Sequence, residues 1–76
     1  NPAAEKVYID FFAVLGNMTT FTIFSAEGKI VKKEVSNSFS TGKQTAEIEL
    51  SQFKPGVYYI KVENDKISET LKLLKK

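Results

Sequence analysis

The chain has 76 residues, eleven of them basic and nine acidic for a formal net charge of +2, and it contains no cysteine, histidine or tryptophan. That length holds one domain. Without cysteine or histidine, disulfide staples, thiolate or imidazole zinc sites, and Ser-His or Cys-His nucleophilic catalysis are all excluded.

Every basic residue is a lysine, so the chain lacks the arginines that a dedicated nucleic-acid reader uses for bidentate contacts. No apolar run approaches the length of a bilayer span, which argues against direct membrane insertion. The chain opens on Asn1 rather than Met and carries no signal peptide, so it reads as a piece of a longer polypeptide, with "NPAAE" as the end of a linker.

The first predicted strand is "KVYIDFFAV", Lys6 to Val14. It places Val7, Ile9, Phe11 and Ala13 on one face and Tyr8, Asp10, Phe12 and Val14 on the other, a pattern that predicts cover on both sides. Gly16 and Asn17 then predict a two-residue hairpin turn. "TTFTIFS", Thr19 to Ser25, alternates Phe21 and Ile23 against Thr20, Thr22 and Phe24 and reads as the second strand.

Gly28 suits the left-handed position of the turn "AEGK". "IVKKEV", Ile30 to Val35, follows as the weakest strand, and its lysines suit an exposed edge. Ser36 to Lys43 has loop composition. "TAEIEL" then sends Ala46, Ile48 and Leu50 inward and Thr45, Glu47 and Glu49 outward.

"SQFKPGVYYIKV" breaks at Pro55-Gly56, read as a type II turn, and continues as a strand from Val57 to Glu63. Asn64 and Asp65 make the next turn. "ISETLKLLKK" closes the chain as a strand in preference to a helix, because ten residues without an N-cap would be marginally helical. Six strands at short spacing predict an all-β sandwich or barrel.

Asp10, Glu47, Glu49, Glu63 and Glu69 fall on outward positions of different strands and read as solvated sheet faces. Asn64 and Asp65 are too few oxygen ligands for calcium. The Gly-Lys pairs at Gly28-Lys29 and Gly42-Lys43 lack the rest of a phosphate loop. No cofactor and no catalytic set is expected. Tyr58, just past the Pro-Gly corner, reads as a buried aromatic whose hydroxyl bonds back to nearby main chain, like the tyrosine corner of immunoglobulin-like sandwiches.

Taken in order, the segments "NPA", "FTIFSAEGKIVKK", "IELSQFKPGVYYIKV" and "LKLLKK" resemble the type A C-terminal sorting domain of the type IX secretion system, the Por secretion tail family of Gram-negative bacteria. The positions carrying the resemblance are Asn1 and Pro2, Glu27-Gly28-Lys29, Ile48-Glu49-Leu50-Ser51, Gly56-Val57-Tyr58 and Lys72-Leu73-Leu74-Lys75. Ser25, where an aspartate is common, and the extra Lys76 are small departures.

The resemblance implies an immunoglobulin-like antiparallel β-sandwich of six to seven strands over residues 1–76, cut from a larger secreted precursor. It implies a non-catalytic address. The precursor would cross the periplasm, meet the translocon and an outer-membrane shuttle protein, and be cleaved by a sortase for attachment at the cell surface or release. Gly56, Tyr58 and Lys72 to Lys76, with Leu73 and Leu74 between the lysines, become the positions a receptor reads. Asn1, Pro2, Gly28, Lys29 and Pro55 become structural motif positions.

A terminal strand of this kind can join a partner's sheet, while its lysines steer it to an acidic surface. Deleting Leu73 to Lys76 is then expected to strand the cargo and leave the domain folded. Exposed edges are also where copies of the chain would self-associate. The competing expectation is an accessory fibronectin-like or carbohydrate-binding module, with Tyr8, Phe12, Phe39 and Tyr59 as a sugar-stacking platform.

Overall fold

Alternation of apolar and polar side chains sends every second residue of a strand to the same face, and in this chain it organises two sheets. The computed structural model describes all residues except Asn1, Ala4, Ser38 and Phe39, with backbone alone at Pro2 and Ala3. Among the described residues there are seven strands and no helix: β1 (Pro2–Ala3), β2 (Lys6–Ala13), β3 (Met18–Ser25), β4 (Ile30–Asn37), β5 (Gly42–Glu49), β6 (Gly56–Glu63) and β7 (Ser68–Lys75). One sheet has the order β1-β7-β6-β3-β4, and the other pairs β2 with β5. Neighbours are antiparallel except β1, which runs parallel to β7.

The two sheets pack as a sandwich. Val7, Ile9, Phe11 and Ala13 of β2, together with Ile48 and Leu50, meet Phe21, Ile23, Ile60, Val62 and Leu73 from the larger sheet. Phe11 and Phe21 touch edge to face across the layers, with ring centroids 5.3 Å apart and planes at 80°. That geometry suits the ring quadrupoles and adds to the area buried.

The expected elements are present, and four local readings change. β2 alternates strictly between buried and exposed, with Tyr8 62% and Phe12 49% exposed on its outer face. It is covered on one side because the sandwich has two layers.

A tight turn does form, one residue earlier than expected: Leu15 and Gly16 are its central residues, the Asn17 amide donates to the Val14 carbonyl at 2.9 Å and Gly16 has φ 85°. It is an arch and not a hairpin, since β2 and β3 belong to different sheets. A tight glycine turn serves either connection, so the local sequence does not choose between them.

At the Pro55-Gly56 corner the hydrogen-bonded turn lies earlier, where the Phe53 amide donates to the Leu50 carbonyl at 2.9 Å. Gly56 already belongs to β6, and its φ of 149° is far from the roughly +80° of a type II turn. The chain must cross from β5 in one layer to β6 in the other. That crossing takes residues 50–55, so Gly56 extends the chain where a reversal was expected. Its φ still lies where side-chain-bearing residues are strained.

The loop predicted from Ser36 to Lys43 is shorter than composition suggests: β4 runs to Asn37 and β5 starts at Gly42.

β4 is an edge strand, as its lysines predict. Its inner face carries charge: Glu34 stands opposite Phe21 and Lys32 opposite Ile23. Lys32 Nζ bonds Glu34 Oε2 at 3.0 Å and donates to the Glu49 carbonyl of the other layer at 3.0 Å.

Candidate recognition surface

β7 pairs with β6 over its whole length, from Gly56 opposite Lys75 to Glu63 opposite Ser68. The Asn64 turn holds this hairpin: its side-chain Oδ1 accepts from the Lys66 amide at 2.8 Å and the Ile67 amide at 3.0 Å. Directly opposed residues share a face of the sheet. Leu73 therefore points inward beside Tyr58 and is 2% exposed, whereas Lys72 and Leu74 point outward beside Tyr59 and Val57. Lys76 is exposed and Lys75 half-buried, its Nζ donating to the Lys76 carbonyl at 3.2 Å. The terminal segment is thus divided into one core anchor, Leu73, and a displayed set, Lys72, Leu74 and Lys76.

Tyr58 is half-buried, its ring 5.1 Å from that of Phe53, and its hydroxyl donates to the Lys54 carbonyl at 2.6 Å. This is the backbone-directed bond expected of it. Val31, Gln52, Phe53 and Lys54 join Tyr58 around a shallow cleft beside the corner.

The family model described as "Secretion system C-terminal sorting domain" matches the chain over residues 1–76. The chain belongs to this family. Comparisons with curated proteins and with solved structures gave no match. The sorting domain is a C-terminal signal for type IX secretion, and membership implies export across the outer membrane to the cell surface or the extracellular space. It also implies interaction with the type IX machinery. Signal domains of this family are generally non-catalytic.

Placed on the fold, the positions that carry the resemblance serve different ends. Gly28 (φ 88°) closes the β3–β4 turn, its amide donating to the Ser25 carbonyl at 2.9 Å, while the Lys29 carbonyl accepts from the Ser25 amide at 2.8 Å. A Cβ at Gly56 would meet nothing within 4 Å, so the demand for glycine there is conformational and not steric. Pro55 lies in the layer-crossing segment. Asn1 lies outside the described residues.

Pro2 and Ala3 pair with Leu74 and Lys75, which puts the first described strand beside the last. A two-residue strand has no alternation to read, and this juxtaposition was missed in the sequence for that reason.

The three described aromatics considered for sugar stacking do not converge. Tyr8 and Phe12 sit on the outer face of the two-stranded sheet and Tyr59 on the outer face of the other. Phe39 lies outside the described residues.

The expectation that Leu73 to Lys76 can be deleted from a folded domain is corrected by the burial of Leu73. Removing it opens the core and takes the end of β7 from both β6 and β1.

Proposed function

We propose that residues 1–76 form the single, detachable C-terminal address of a larger precursor. In this reading the precursor crosses the periplasm, the folded sandwich engages the translocon and its shuttle protein at the outer membrane, and a sortase then severs the domain upstream. The cargo is attached at the surface or released. The domain performs no reaction itself. Recognition uses Lys72, Leu74, Lys75 and Lys76, while Leu73, Gly56 and Tyr58 fix the strand that presents them.

The observation that carries this reading is the whole-length family match. Burial of Leu73 between two displayed neighbours supports the division of labour within the terminal strand. Lysine at 72, 75 and 76, with no acid beside them, gives the segment a positive field suited to an acidic docking surface.

The test is surface display of a precursor carrying Lys72→Glu, Leu74→Asp and Lys76→Glu together. The cargo should accumulate in the periplasm while the domain keeps its melting midpoint. Normal surface levels would refute the role given to the terminal residues. Normal levels after removal of all 76 residues would refute the export reading itself.

A further inference from the structure

Cross-strand register on the outer face of the five-stranded sheet brings together residues distant in sequence. Tyr59 stands opposite Lys72 on one side and Phe24 on the other, and Phe24, past a register shift after Ile23 that resets the alternation of β4, stands opposite Ile30. The adjacent pair Ile23 and Ile60 is buried in the core. Lys72, Tyr59, Phe24 and Ile30 therefore form one row on the solvent side, running over β7, β6, β3 and β4. At about 4.8 Å per strand the row spans roughly 14 Å.

Val57 and Leu74, opposite one another, adjoin the row and widen its apolar area. Ile30 is 57% and Leu74 42% exposed, with Tyr59 at 36%.

Within the sheet, the charged side chains nearest this strip are lysines. The neighbouring row reads Thr70, Lys61, Thr22 and Lys33. Glu63, the outward-facing acid of these strands, stands a further row away and is paired with Lys61 at 3.5 Å. Glu27 lies in the β3–β4 turn, beyond the strand ends. The rest of this face is threonine, serine, lysine, Glu63 and Asn37 apart from Met18 and Val35, so most of its apolar side chains gather at the end that holds Lys72 and Leu74.

We infer that this strip is the docking face for a protein of the export machinery whose own surface has an apolar centre flanked by carboxylates. The inference rests on the export reading above and adds that the address is a folded, four-strand epitope rather than a terminal peptide. Single exposed apolar residues are ordinary, but a contiguous row marks an interaction surface. Desolvating such a centre supplies affinity, and the lysines at its border supply orientation and encounter rate.

The experiment is surface display of precursors carrying Ile30→Glu or Tyr59→Glu, each with its domain's melting midpoint measured. Both should lower surface cargo at least tenfold. Val35→Glu, on the same strand and face but outside the strip, and Tyr8→Glu, on the opposite sheet, should export like the parent. If Ile30→Glu fails to fold, Ile30→Ser adds no charge and should still lower export severalfold. Folded Ile30 and Tyr59 variants exporting normally, while Leu74→Asp is retained, would overturn the strip and leave the export reading standing. Equal losses in Val35→Glu and Tyr8→Glu would overturn it too.

Discussion

Asn64, in the turn between β6 and β7, donates through Nδ2 to the hydroxyl of Thr19, 45 residues away, at 3.0 Å. The same nitrogen donates to the Phe12 carbonyl at 3.1 Å, while Oδ1 accepts the Lys66 and Ile67 amides. One side chain thus shapes the hairpin that presents the terminal strand and ties it to the β2–β3 arch. Thr19 is fully buried, so its oxygen has no water to fall back on.

Asn64→Ala should cost about 2 kcal/mol, because it takes a donor from the buried Thr19 hydroxyl and removes the cap of the turn. In a domain of this size that lowers the thermal midpoint by roughly 10 °C. Asn64→Asp keeps the acceptor and loses the donors, and should fall at least as far. An unchanged midpoint in both variants would show that the arch and the hairpin are not coupled through this residue.

Tyr58 makes two separable contributions, the hydroxyl bond to Lys54 and the ring contact with Phe53. Tyr58→Phe should cost about 1 kcal/mol for the hydrogen bond alone. Tyr58→Ala should cost about 3 kcal/mol, since a large aromatic is removed from packing. Denaturant titration of the two variants reads the difference directly. Equal costs would place all of the stabilisation in the bond.

Leu73 and Leu74 are neighbours with opposite duties. Leu73→Ala should destabilise the sandwich by about 3 kcal/mol through the cavity it opens. Leu74→Ser, on the outer face, should change stability by no more than about 0.5 kcal/mol yet impair export. Comparable melting of the two variants would contradict the burial difference between them.

Lys32 and Glu34 point inward on an edge strand, one of the devices by which sheet proteins resist pairing edge to edge. Lys32→Val with Glu34→Val should be neutral or stabilising, as exchanges of partly buried ion pairs for apolar residues often are. The double variant should also self-associate through β4, visible as a rise in sedimentation coefficient with concentration. A variant that stays monomeric over the same range would remove this role from the pair.

Much of the architecture was legible because it is local. The alternation of β2, β5 and β6, the edge character of β4, the turn at Gly28 and the hydroxyl bond of Tyr58 each follow from side chains within a few residues of one another. Alternation along "ISETLKLLKK" gives Ile67, Leu71 and Leu73 one parity. Leu71 shares that parity and is 43% exposed, because burial also needs a second layer above the position. The row from Lys72 to Ile30 left no trace in any local window.

The sequence by itself determined six of the seven strands, most of their faces and the ordered motifs that resemble the sorting family, since alternation and turn chemistry are set by adjacent residues. Only the tertiary structure decided which strands are neighbours. It turned the Gly16 turn into an arch, laid β1 beside β7 and carried the apolar row across four strands. Those outcomes depend on how two layers share a core, and that balance is struck between side chains distant along the chain.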